Sequence, residues 1–197
     1  MNSATFPKLD IMDLPAGSAV NTGVDPNRPT FINIRTLKDN SALVVNGQYK
    51  NCLVTVGGKN VAPVGNDCYI RVKDADLKMS TTRIGENCEL IHSGLLSEMC
   101  SAATIGQGLK LTHHSSSTTG AVVEIKNISG GKNPSMITLE NAALKANNLG
   151  EKCVVEAVNS VEFGTAGTGC KVTVSGDNST IRGVTTNANS RFEAKGA

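Results

Sequence analysis

Nine side chains in this 197-residue chain carry the groups that usually do nucleophilic, acid–base or metal chemistry: three histidines and six cysteines. They are His92, His113 and His114, with Cys52, Cys68, Cys88, Cys100, Cys153 and Cys170. Imidazole moves protons near neutrality, and thiolate attacks carbon or holds zinc. Spacing decides whether they can act together. No C-x-x-C or H-x-x-x-H pair is present, so no metal set is predicted, and none of the nine is assigned a catalytic or cofactor-binding role. "LTHHSSSTTG" (111–120) puts hydroxyls beside histidines, but no G-x-S-x-G elbow accompanies them. "VGGKN" (56–60) and "ISGGKN" (128–133) lack the spacing of a phosphate loop, and "DADLK" (74–78) is too short for a calcium loop. Carboxylate pairs for glycoside cleavage would come from different coils, where spacing does not reveal them.

The elements that hold these residues repeat. Val64-Gly65, Ile84-Gly85, Ile105-Gly106, Leu149-Gly150 and Ala166-Gly167 begin five similar stretches: "GNDCYIRV", "GENCELIH", "GQGLKLTH", "GEKCVVEA" and "GTGCKVTV". The third, fifth and seventh residues after glycine are apolar in thirteen of fifteen cases, and the two exceptions are His92 and His113. That alternation is a strand with one face inward. Successive glycines lie 20, 21, 44 and 17 residues apart, and "NISGG" (127–131) falls where the long interval needs a corner. "VVNG" (44–47) and "STIRGV" (179–184) are read as an earlier and a last corner. A strand-and-turn unit of this length cannot bury its apolar face alone, so units stack. The sequence therefore predicts an all-β fold, a parallel β-solenoid of about six or seven coils and roughly 30 Å. A β-sandwich is the alternative. "MITLENAALKANN" (136–148) reads as a strand and loop or a short helix.

The repeat also places the cysteines. Cys68, Cys88, Cys153 and Cys170 share one position with Leu109, and Cys52 is added because it too opens a strand. A column that exchanges Cys for Leu predicts buried, reduced thiols. Local disulfides 52–68, 88–100 and 153–170 are the alternative. Both histidines are expected to close a strand near a corner and bond backbone or solvent, with His113 stacked on His92.

Ile84, Leu90, Leu96 and Ala102 keep a six-residue step. Over these roughly 20 residues the chain resembles the hexapeptide-repeat acyltransferases, some of which use one histidine as general base. The step then breaks at Ile105, and Val64 and Ile70 lead on to Asp76 and Thr82. An acyltransferase, or a polysaccharide-active enzyme, is accordingly the minor expectation.

Composition narrows the rest. Aromatics are 3%, with no Trp, against 20 Gly, which suits short strands and tight turns. A net charge of +2 without a basic cluster predicts no nucleic-acid partner. No apolar run of membrane-spanning length occurs, and no signal-peptide pattern opens the chain. Pro7, Pro15, Pro26 and Pro29 crowd the N-terminus, so residues 1–40 are predicted to be an extended arm and 41–197 the solenoid. An arm with a β-rich, aromatic-poor body resembles phage virion decoration, spike and fibre proteins in architecture. The implied function is non-enzymatic. It is a homo-oligomeric structural component, a trimer by preference, held to a neighbouring protein by its arm and assembled into virions in the host cytoplasm. Bactofilin-like polymers are similar in coil size. A secreted or surface adhesin or effector binding polysaccharide is the alternative, with an extracellular location and a surface glycan as partner. No cofactor is expected.

Overall fold

The computed structural model describes residues 8–23, 29–47, 52–57, 64–99, 104–115 and 121–196. The fold is a parallel β-solenoid of about eight turns with no helix. At the cross-strand spacing of parallel sheets this makes a stack of roughly 40 Å. Each coil supplies one strand to a nine-stranded wall that runs from Ala19–Gly23, through Glu89–Gly94 and Lys110–Ser115, to Arg191–Ala194. The other strand of each coil lies on a second wall. There a five-stranded sheet ends at Leu96–Met99, and a four-stranded sheet begins at Ala121–Asn127. A two-stranded ladder pairs Arg83–Ile84, which precedes Leu96–Met99 in the chain, with Thr104–Ile105, which follows it.

The alternation read from the sequence is the burial pattern. All fifteen residues at the third, fifth and seventh positions are buried, none more than 4% exposed. The seventh position forms one ladder across the nine-stranded wall: Val45, Val72, His92, His113, Leu139, Ala157 and Val174. One apolar cluster fills the interior from Leu14 to Val174.

The corners explain the repeat. Most of the described turns end with a left-handed residue followed by a small or apolar one; the turn before Ser135 ends on Pro134. Gly17, Asn40, Asp67, Asn87, Gly108, Lys152, Gly169 and Asn189 all have φ between 54° and 75°. Gly, Asn and Asp tolerate that region, which is why they dominate the position. Where the first turn residue is glycine, the reason is different. A Cβ on Gly85 would overlap the carbonyl group of Gly65 one coil below. Backbone bonds join the turns in step, as in Gly85 N to Val64 O at 2.9 Å and Gly106 N to Ile84 O at 2.9 Å.

Four expectations change. Most of the predicted arm is solenoid: Lys8–Leu14 pairs in parallel with Thr30–Leu37, and Ala19–Gly23 with Ala42–Asn46. Pro15 is the first residue of a turn closed by Ser18 N to Pro15 O at 3.1 Å, and Pro29 directly precedes a strand. Residues 1–7 and 24–28 lie outside the described residues. The extra coils at this end account for the larger coil number. Second, Cys52 opens a strand of the other wall, opposite Thr30, and is not in the corner column. Third, Gly47 lies at the far edge, where its N–H reaches Lys73 O at 2.8 Å, and Ile181–Thr186 is a strand; the equivalent corners are residues 38–41 and 187–190. Fourth, residues 136–148 are two strands, Met136–Glu140 and part of Ala142–Leu149, separated by Asn141 at φ 55°. The corner expected near 127–131 is present: Ile128 bridges Ile105, and Ser129 N bonds Ile105 O at 2.9 Å.

Candidate functional site

The corner column brings most of the thiols together. Its members in chain order are Ser18, Ser41, Cys68, Cys88, Leu109, Ser135, Cys153, Cys170 and Ser190. Four of them make the same bond. Cys68 Sγ donates to Lys38 O at 3.1 Å and Cys88 Sγ to Gly65 O at 3.1 Å. Cys170 Sγ donates to Gly150 O at 2.9 Å and Ser190 Oγ to Gly167 O at 3.0 Å. In each case the acceptor is the first turn residue of the coil before. Serine and cysteine are interchangeable here because both offer one short donor of similar reach. Serine also accepts from the other side: Leu109 N donates to Ser135 Oγ at 3.3 Å, and Cys170 N to Ser190 Oγ at 3.2 Å. Sequence reading found the cysteines and missed the serines, which resemble ordinary polar turn residues. The signal was available in the left-handed Gly, Asn or Asp that precedes most of them.

The five described cysteines are buried free thiols. Burial, with a smaller contribution from Asp76, pushes Cys52 up to about 11. Burial and the neighbouring Cys170 push Cys153 up to about 12. Cys170 is raised by burial, and Cys88 by its hydrogen bonding with Cys68 and then by burial. These four stay protonated and poorly nucleophilic, whereas hydrogen bonding with Cys88, then with Ser41, lowers Cys68 against its burial. Cys100 lies outside the described residues.

The histidines form the second cluster. His92 and His113 stack in neighbouring coils, with ring centroids 4.9 Å apart and planes within 5°. Both are buried, at 2% and 0% exposure. His92 Nε2 lies 2.9 Å from Ala75 O, and the two Nδ1 atoms are 2.9 Å apart. A carbonyl only accepts, so Nε2 of His92 carries the proton. Neutral His92 then has a bare Nδ1, and His113 must donate to it from its own Nδ1. That leaves His113 Nε2 as a bare acceptor, and it has no partner among the described residues. Burial favours this neutral form of both rings. Burial lowers His92, against the Ala75 hydrogen bond and Asp76, which favour its charge. Burial, then the neighbouring His92 and His114, lower His113 to about 4.

The sequence expectation of a backbone bond holds for His92, and the stack is present. His113 reaches neither backbone nor solvent. As an acyl-transfer base His92 would have to face a substrate, whereas its two nitrogens are both engaged inside the wall. His114 points the other way and bonds Glu140 Oε2 at 2.8 Å on the exposed face.

Outside these clusters the surface offers shallow depressions. One, about 420 Å³, lies along the corner edge among Arg83, Glu86, Thr104, Gln107 and Ser129. Another, about 340 Å³, is lined by Thr138, Glu140, Glu156, Thr173, Ser175 and Lys195. Neither contains a cysteine or histidine. Among the described residues no three His, Cys, Asp or Glu side chains are grouped to hold a metal ion, and no helix is long and apolar enough to cross a membrane. Comparison with protein-family models, curated proteins and solved structures finds no match to this chain.

Proposed function

We propose that the chain is a non-enzymatic structural protein, a homo-oligomeric assembly module of the kind that decorates or projects from a virion built in the host cytoplasm. One observation carries the reading. Of the described residues best suited to chemistry, all but His114 lie inside the stack, and most are bonded to the coil beside them. Groups with that placement set the spacing of coils and have no route to a substrate.

The outer faces support the same reading. Register places Glu124, Lys145, Glu162 and Arg182 in one row of alternating sign. Thr112, Thr138, Glu156 and Thr173 form another row. Long, polar, regularly spaced rows suit contact with other copies or a flat neighbouring surface better than enclosure of a small molecule. Because Lys8–Leu14 and Ala19–Gly23 are end strands of the walls, anchoring through them would use the end of the solenoid and not a free arm.

Light scattering on the purified chain over a wide concentration range tests the oligomer. A trimer or another closed homo-oligomer is expected, and a strict monomer at hundreds of micromolar would overturn it. Mass spectrometry of purified particles from the source tests the location. Stoichiometric copies of the chain in virions are expected, and its absence would sink the virion assignment.

A further inference from the structure

We propose that the His92–His113 pair is an acid-sensitive rung, a built-in weak point at which the solenoid opens when a proton enters its core. The inference concerns the fold and does not depend on the assembly role.

With both rings neutral, the geometry permits one arrangement of protons. Ala75 O fixes the proton of His92 on Nε2, and the 2.9 Å contact between Nδ1 atoms needs a single proton between them. Adding a proton to His92 either sets two N–H groups head to head or shifts the proton of His113 to Nε2, where it has no acceptor among the described residues. Adding one to His113 creates a charged donor at Nε2, which has no acceptor among the described residues. Either event leaves a charge in an apolar ladder between Val72 and Leu139.

The surroundings do not rescue it. Among the described residues no Asp, Glu, Lys or Arg is buried. On the second wall Asp76 favours charge on His92, but it is only partly buried and bonds Leu95 N at 3.2 Å. From the same wall as the pair, His114 opposes charge on His113 and is itself held by Glu140. Ser93 and Asp74, at the edge beside His92, bond each other at 3.4 Å. Arg71 and Lys73 on one neighbouring strand, Glu89 and Lys110 on the pair's own strands, lie at positions that alternate away from the buried face.

The sign follows from linkage. Both imidazoles are held below the ordinary value near 6.5. Between the unfolded and folded values, the unfolded chain binds protons that the folded chain does not. Stability from the neutral pair is complete above about pH 6.5 and is lost as pH falls toward the folded values.

The test measures urea unfolding of the full chain from pH 7.5 to 5, beside a His92→Leu/His113→Leu variant. Leucine already occupies this ladder at Leu139. From the His113 shift alone, the wild-type unfolding constant should rise roughly thirtyfold more than that of the variant. Hydrogen exchange at pH 5 should show residues 89–94 and 110–115 opening before the C-terminal coils. Parallel pH curves for the two proteins would overturn the proposal. Should the variant fail to fold, nitrogen NMR of the wild type decides. A scalar coupling between the two Nδ1 nuclei at pH 7.5, in a chain with both rings neutral at pH 5.5, is expected. Absence of the coupling, or a protonated ring in the folded chain at pH 5.5, refutes it.

Discussion

At the corner, Cys68, Cys88, Cys170 and Ser190 each donate to a carbonyl of the preceding coil. Along the strand, His92 and His113 share one proton between two nitrogens and leave a third nitrogen bare. Both devices place polar atoms in the core, and they differ in what they need as a partner. The corner uses a backbone carbonyl, which every coil has, so the device repeats and its side chain can change from Cys to Ser. The histidine contact needs a second histidine at the same height. It stops after one pair, between Val72 and Leu139. A device that relies on backbone scales with the number of coils. One that relies on side-chain identity is local and sensitive to its ionisation.

The largest expected effect comes from breaking the local device. His92→Leu or His113→Leu alone orphans a buried nitrogen and should cost about 2–3 kcal/mol at pH 7.5. The double substitution should cost clearly less than the sum of the singles, read from urea midpoints. Additive losses would mean that the two rings are independent.

The repeating device should be harder to break. Cys88→Ala removes the donor to Gly65 and should cost about 1 kcal/mol, whereas Cys88→Ser should recover most of it. Equal losses would show that volume, not the donor, selects the column. In the native chain the buried thiols should react with a disulfide reagent only as fast as the chain opens. All six should react promptly in denaturant.

The smallest effect sharpens the turn. Among the described residues Lys152 is the one left-handed corner residue that is not Gly, Asn or Asp. Lys152→Asn should stabilise by about 0.5 kcal/mol by relieving that backbone cost. A loss in thermal or chemical denaturation would mean that the lysine stem, which lies close to Gly169, contributes more by packing.

The coil period was readable because the apolar alternation and the first-position glycines come from stacking itself. The first two coils were not, because "LPAGS" and "LKDNS" replace the aliphatic-glycine pair by Leu14-Pro15 and Leu37-Lys38. Proline then suggested an arm where it shapes a turn. Cys52 was misplaced because opening a strand does not say which wall the strand joins. The histidine column was legible from alignment. Its proton arrangement was not, since it depends on Ala75, seventeen residues earlier in the bend that follows the neighbouring strand.

The two walls are unequal in a mechanical sense. One sheet ties every coil from Ala19–Gly23 to Arg191–Ala194, while no ladder among the described residues joins Leu96–Met99 to Ala121–Asn127 on the other. The rod is thus a beam with one intact flange and one cut flange. Bending that closes the gap compresses the core, and bending that opens it strains only short pairing, the Ile105–Ile128 bridge with the Ser129 N to Ile105 O bond. Flexural stiffness should be lowest at mid-length and in a single direction, with the nine-stranded wall as the hinge leaf.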